Sequence, residues 1–315
     1  SIPIDKTCYR VTDHEETRQI APISFRPSLR VDLEATRRLS LSGDLSYSNG
    51  YEEAGWESGY LLTSYYALTR GASELNHRRS LSGGIGTEYR NPLQALFTHL
   101  DLRYLSYRNS LIQGRTLQGD YLLSGTTPME SRGSLISIGG SISKGLSPWR
   151  TTLVLKGQYT LGRQEMLIKE MLNAFRLRGL SLSGSASAHP ASWISLTYDV
   201  GLDLSRLALE GEQGRLQRDF AQSLELVLIP GTPWRIDLTG DHYYNEIARG
   251  MRKNYFLLDL GLVYSPRSRL EVSLQARNLL NNRVYGYTLL SSLTAQTIAY
   301  EIRPMEILAS LFFHF

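Results

Sequence analysis

Long apolar runs are missing from this chain. No window of its 315 residues approaches the ~18 consecutive apolar residues that a transmembrane helix requires, and Asp, Glu, Lys or Arg interrupts nearly every apolar segment. A helical membrane span is therefore excluded, whereas a span made of strands is not, because alternation hides its apolar signal. Cysteine is almost missing too: Cys8 stands alone, which rules out an internal disulfide framework and any cysteine-based zinc spacing. The first residues, Ser1-Ile2-Pro3-Ile4-Asp5, lack a charged segment followed by an apolar one, so no secretory signal peptide is expected there. Charge of one sign is in small excess only, with 34 Lys plus Arg against 30 Asp plus Glu. The arginines are scattered singly along alternating segments and do not gather beside aromatic residues, so nucleic acid is not expected as a partner.

What is present, from about residue 28 onward, is period-two alternation, the pattern of strands with one apolar face. Leu270, Val272, Leu274 and Ala276 point one way, while Glu271, Ser273, Gln275 and Arg277 point the other. The same holds for Ile194 to Leu204 against Ser195 to Asp203, and for Trp234 to Gly240 against Arg235 to Asp241. At Gly179 the apolar register changes, from Phe175 and Leu177 to Leu180 and Leu182, and a β-bulge is expected there.

Short connections built from turn-forming residues fall at Arg37-Arg38, Asn91-Pro92, Ser147-Pro148, His189-Pro190, Pro230-Gly231-Thr232-Pro233 and Ser265-Pro266-Arg267-Ser268. Between each two of them lies a longer, more polar connection, the largest near 51–78 and 110–131. This alternation puts short turns and long loops at opposite ends of one sheet, as in outer-membrane barrels. The expected strands are 22–36, 39–50, 79–90, 93–109, 132–145, 149–163, 174–188, 191–206, 214–229, 233–246, 252–264, 268–285 and 297–315. Tyr89, Trp149, Trp193, Trp234 and Tyr264 lie close to short turns, and Tyr47, Tyr159 and Tyr244 near the other strand ends. The interval from Trp149 to Tyr159, repeated from Trp234 to Tyr244, spans roughly 25 Å along a membrane normal for tilted strands, the height of the apolar band between two aromatic girdles.

The segment Asn278-Leu279-Leu280-Asn281-Asn282-Arg283-Val284-Tyr285 and a final strand with Arg303-Pro304, then Ile307, Ala309, Leu311, Phe313 and Phe315 in alternation, resemble the end of a TonB-dependent outer-membrane receptor. The resemblance implies an all-β fold: a transmembrane antiparallel up-and-down β-barrel, about 13 strands of a 22-stranded barrel, with the plug domain absent from this chain. Residues 22–315 would be the barrel portion, and residues 1–21 an extracellular loop or unassigned N-terminal segment. The resemblance further implies an active importer of a scarce nutrient (iron chelate, vitamin, glycan or peptide) in the outer membrane of a Gram-negative bacterium. Its implied partners are a plug-containing fragment or subunit completing the barrel, TonB through that plug, a surface lipoprotein and outer-membrane lipid. Two other readings stay open: a self-contained 14-stranded passive porin-like channel with residues 2–12 as the extra strand, and a soluble β-rich binding or adhesin protein.

No catalytic constellation is visible, and neither enzyme activity, cofactor nor metal is expected. His14, His77, His99, His189, His242 and His314 are dispersed, without the spacing of a zinc site. Gly83-Gly84 and Gly139-Gly140 precede no helix and read as points of curvature or close packing. The stretch 165–172 reads as a helix in an extracellular loop. The functional candidates are the charges expected to face the lumen as a class: Arg30, Asp32, Glu34, Asp44, Glu88, Arg90, Asp101, Arg103, Asp199, Asp203, Asp237, Asp241, Glu271 and Arg277. No one of them is singled out as a substrate contact.

Overall fold

The computed structural model describes residues 4–6, 9–13, 16–20, 23–52, 60–71, 74–248, 251–267, 270–290 and 295–313. Thirteen strands follow one another as an antiparallel meander: β1 (Ser28–Thr36), β2 (Leu39–Glu52), β3 (Asn76–Asn91), β4 (Leu96–Gln118), β5 (Tyr121–Leu146), β6 (Thr151–Ile168), β7 (Met171–Ala191), β8 (Ile194–Leu209), β9 (Arg215–Gly231), β10 (Trp234–Ala248), β11 (Met251–Arg267), β12 (Leu270–Arg277) and β13 (Glu306–Phe313). The sheet holds 17 strands in all, the others being Ile4–Lys6, Ile23–Phe25, Tyr60–Ser64 and Ala67–Arg70. Two separate hairpins pair Tyr9–Asp13 with Glu16–Ile20 and Val284–Leu290 with Ala295–Glu301.

The cross-strand registers give the sheet two unlike faces. On one, Leu29 faces Leu45, Ile85 faces Leu102, Leu102 faces Ile138, Leu182 faces Leu202, Leu226 faces Leu238, and Leu274 faces both Leu262 and Ala309. Tyr89, Trp234 and Tyr264 share that face at the short-turn end, where the Trp234 and Tyr264 rings lie 4.3 Å apart. On the other face Asp44 is opposite Arg30 and Gly84, Asp199 opposite Ser185 and Ser223, and Ser273 opposite Ser310.

Three of the short turns share one local device. Pro190, Pro230 and Pro266 each fall within a register shift just before the turn, after which Ala191 meets Ile194, Gly231 meets Trp234 and Arg267 meets Leu270. Proline has no N–H to give to the ladder, so the pairing must step around it. At Pro92 and Pro148 the chain turns instead through a single 3₁₀ turn that ends on Ala95 or Arg150 in the left-handed region. All these turns lie at one end of the sheet, and Phe313, opposite Leu270, brings β13 back to it. Phe315 and Ser268 lie outside the described residues.

Several expectations need correction. The connection 110–131 is a continuation of the wall: β4 runs on to Gln118, β5 starts at Tyr121, and Gly119 at φ +60° makes the turn. The stretch 165–172 is also a hairpin tip, not a helix, with Lys169 and Glu170 both at positive φ between β6 and β7. No bulge occurs at Gly179, which pairs in unbroken register with Thr160 and Ser205. β12 ends at Arg277, so residues 278–283 follow the strand as a turn instead of riding on it, and Val284-Tyr285 open the next hairpin.

β1 is matched residue by residue to β2 alone, and β13 to β12 alone, among the described residues. Every residue of β1, and all of β13 except Glu306, is exposed. Beyond Pro27, Ile23–Phe25 continues β1 in the same register, with Phe25 opposite Asn49, and carries Ile4–Lys6 on its outer side. In the order of the sheet it stands between β13 and β1.

Candidate functional site

The Asn278 turn ties the last strands together. Asn278 is buried, and its side-chain amide donates to the carbonyls of Asn282 at 2.7 Å and Arg303 at 2.8 Å, while its Oδ1 accepts from the N–H of Asn282 at 3.0 Å. Asn281 Oδ1 accepts from the Met305 N–H at 3.2 Å. Asn278 and Asn281 stand at φ 49° and 52°, a region asparagine tolerates better than most residues. The tyrosine of the same segment, Tyr285, packs at 5.1 Å from Tyr255, whose hydroxyl accepts from the Gly286 N–H. This motif fastens the final hairpin to the end of β12.

The charges expected to face the lumen all lie on the polar face. Many pair with each other along a strand: Arg30 with Asp32 at 2.9 Å, Arg90 with Glu88 at 2.6 Å, Arg103 with Asp101 at 3.6 Å, and Arg235 with Asp237 at 3.0 Å. Arg277 reaches Glu306 across strands at 3.7 Å. Pairs this exposed add little to stability, so their role is to keep the wall polar. Glu34, Asp44, Asp199, Asp203 and Asp241 have no ion-pair partner among the described residues. His99 sits 3.4 Å from Asp101, a His-x-Asp spacing that the sequence reading overlooked. Among the described residues no group of three or more His, Cys, Asp or Glu is placed to hold a metal ion. His14 and His314 lie outside them.

Two depressions open on this face and meet at Lys156. One, of about 540 Å³, is lined by Lys156, Ser183, Ser185, Asp199, Ser223 and Tyr243. The other, of about 470 Å³, holds Asp101, Arg103, Ser137, Gln158 and again Lys156. Lys156 is the cation at the centre of the wall, and the sequence reading left it out because it sits alone between Leu155 and Gly157.

A third depression, of about 250 Å³, lies at the long-loop end and is the most constructed of the three. Arg78 donates to Glu52 at 2.9 Å, and its guanidinium lies 4.7 Å over the Tyr107 ring. Asn76 donates to the other oxygen of Glu52 at 3.1 Å. Asn109 Oδ1 and Thr126 Oγ1, which line the same depression or its wall, are buried without a hydrogen-bond partner. Tyr107 lies across Gly133, where a Cβ would collide with its ring. Gly133→Val is expected to displace Tyr107, break the arginine stack and cost about 1–3 kcal/mol in a urea titration of the folded barrel in detergent. Gly201→Ala, at a position with nothing within 4 Å of a new Cβ, is the control and should leave the midpoint in place.

Near this depression the two faces exchange character. Leu105, Leu135, Gly162, Leu177 and Leu207 follow one another across five strands on the inward face. Between and beyond them, Arg108, Arg132, Arg163, Arg176, Arg178 and Arg206 project outward. That exchange is what the sequence displayed as a register change at Gly179. Under the hairpin tips lies a small apolar cluster: Leu75, Leu111, Ile112, Met166 and Phe175 are buried. The tips also pair side by side, Leu122–Gly125 with Ala67–Arg70 and Gly114-Arg115 with Leu167-Ile168, both in parallel.

Comparison with solved structures places this architecture. The ferric enterobactin receptor of Pseudomonas aeruginosa, as a mutant form, superimposes with a TM-score of 0.52 at 12% identity, covering 91% of this chain and 45% of that one. The fold matches part of that receptor's. The FrpB iron transporter of Neisseria meningitidis gives a TM-score of 0.50 at 10% identity, covering 85% of this chain and 44% of that one. The chain thus spans less than half the length of these two structures. No family model and no curated protein matches the sequence.

Proposed function

We propose that this chain is barrel wall of a TonB-dependent importer in a Gram-negative outer membrane, taking up a scarce nutrient such as an iron chelate. The observation that carries this is the thirteen-stave wall itself, apolar on one face, polar on the other and superimposable on receptor barrels over most of its length. β1 and β13, each matched residue by residue to one strand alone among the described residues, favour completion by further strands, together with a plug packed against the polar wall around Lys156. Within an apolar band, each unpaired backbone group costs several kcal/mol, so an edge several residues long costs on the order of 10 kcal/mol or more. This argues against a passive channel built from these strands alone.

Uptake of candidate solutes by cells carrying the chain with its native partners tests the reading. Import of an iron chelate, vitamin, glycan or peptide should stop when the inner-membrane energy source is removed. Uptake that continues unchanged, following the concentration gradient, would reverse the conclusion in favour of a passive pore. Arg78→Ala, which removes both the Glu52 ion pair and the Tyr107 stack, should weaken solute binding at the mouth by about tenfold, the usual consequence of losing a desolvated polar anchor.

A further inference from the structure

The polar face of β8, β9 and β10 carries a row of side chains to which the import reading gives no role. Asp203 stands directly opposite Asp219, and Asp219 opposite Asn245, so three adjacent strands bring two carboxylates and a carboxamide side by side. One step nearer the short turns, the next row on the same face reads Ser183, Gly201, Ala221 and Tyr243. All four line the 540 Å³ depression. Serine, glycine and alanine leave its floor low, and at Gly201 nothing lies within 4 Å of where a Cβ would stand. The Asp203–Asp219–Asn245 row therefore borders a hollow that Tyr243 closes at one end. Behind Tyr243 comes the final hairpin, whose strand Val284–Leu290 lies against β10. Its Tyr285 ring is 5.9 Å from that of Tyr243 and 5.1 Å from that of Tyr255.

Two independent facts mark the row as incomplete. Carboxylates directly opposite each other repel, and neither Asp203 nor Asp219 has a cation within 4.0 Å among the described residues. Asp219 accepts from Gln217 at 2.9 Å, and Lys253, next in the row beyond Asn245, is exposed and reaches neither carboxylate. The second fact is the amide. Asn245 is only 9% exposed, yet its Nδ2 has no hydrogen-bond partner, and a buried donor of this kind calls for an acceptor from outside the chain. An occupant that completes the row must accept from Asn245 and donate to the carboxylates. Ammonium and guanidinium groups only donate, while a phosphate or carboxylate only accepts and would meet two like charges. A hydroxyl does both, and neighbouring hydroxyls on one ring do so at neighbouring points. Tyr243 supplies an apolar ring surface for the C–H side of the same molecule.

We propose that Asp203, Asp219 and Asn245, with Tyr243 beside them, bind a neutral sugar through its hydroxyls, which makes a glycan the nutrient of the importer. The proposal rests on the import reading of the wall. A test folds the full chain in a tetraoxyethylene detergent, which carries no sugar of its own. It is titrated with short oligosaccharides of glucose, galactose, mannose, xylose and N-acetylglucosamine, and with the per-O-methylated form of each, read by saturation-transfer NMR. At least one unmodified sugar should saturate, and its methylated form should bind about tenfold more weakly or worse, because methylation keeps the acceptors and removes every donor to the carboxylates. D203N/D219N and N245A should each weaken the same sugar by about tenfold. Should a variant fail to fold, the comparison of the two sugar forms on the unaltered chain still decides. Equal affinity for both forms, no saturation by any sugar at tens of millimolar, or saturation by spermidine or triglycine in their place overturns the proposal. Uptake separates the two readings. A chain that binds no sugar yet supports energy-dependent import of an iron chelate refutes the sugar site alone, and sugar binding with uptake indifferent to the inner-membrane energy source refutes import and leaves the sugar site standing.

Discussion

An Asn278→Leu variant is expected to lose about 3–6 kcal/mol of stability. The substitution leaves the N–H and carbonyl of Asn282 and the carbonyl of Arg303 without the partner they now share, in a position where Asn278 is only 6% exposed. Each buried polar group left unpaired costs about 1–3 kcal/mol, and a leucine at positive φ adds strain. Against a total stability of typically about 5–15 kcal/mol, the loss is large enough to prevent accumulation of folded barrel. Equilibrium unfolding in urea, with the barrel held in detergent and followed by tryptophan fluorescence, measures it. Asn278→Asp keeps the acceptor for Asn282 but gives up both donated bonds, and should fall between the two. A shift below about 1 kcal/mol for the leucine variant would mean that the turn is held by other contacts.

The second large effect is expected on the outward face. Leu274 is 43% exposed, lies opposite Leu262 and Ala309, and sits four positions above the short-turn end of β12, about mid-depth in the apolar band. Leu274→Arg should cost about 2–4 kcal/mol of folding stability in a bilayer. Gln275→Arg, one residue away on the polar face beside Gly261 and Leu308, should cost less than about 1 kcal/mol, because its side chain stays in water. Folding yield into lipid vesicles, scored by the heat-dependent gel mobility of folded barrels, reads the difference. Equal penalties for the two substitutions would show that the faces are not in unlike solvents, and a larger penalty for Gln275→Arg would reverse the assignment.

These two residues also mark what can be read from the bare sequence. The staves around Leu274 were legible because a single polar-apolar alternation states both the strand and the face, and because Pro190, Pro230 and Pro266 announce their turns. The 110–131 hairpin was not legible, because above the band the wall is wet on its outer side and the alternation changes sense. The tip at Lys169-Glu170 carries neither glycine nor asparagine, so the apolar run Met166-Leu167-Ile168 looked helical with nothing to say that the chain reverses. The mouth depression was hidden for a different reason. Glu52, Arg78 and Tyr107 lie on three strands, and only the register brings them together. The outward arginines show the same effect in reverse: residues scattered singly along the sequence, and dismissed as a patch on that ground, stand beside one another once the strands are aligned.

Only six apolar side chains are buried among the described residues: Leu75, Leu111, Ile112, Met166, Phe175 and Tyr255. On the proposed membrane reading, the energy that a soluble domain draws from its core comes instead from the surroundings. Acyl-chain length then becomes a variable of the protein's own thermodynamics. A bilayer a few ångströms thinner than the interval from Trp234 to Tyr244 strips hydrocarbon from both girdles of every stave at once, and a thicker one drags the outward arginines toward oil. Unfolding free energy should accordingly pass through a maximum as lipid chains are lengthened, with no residue of the protein altered.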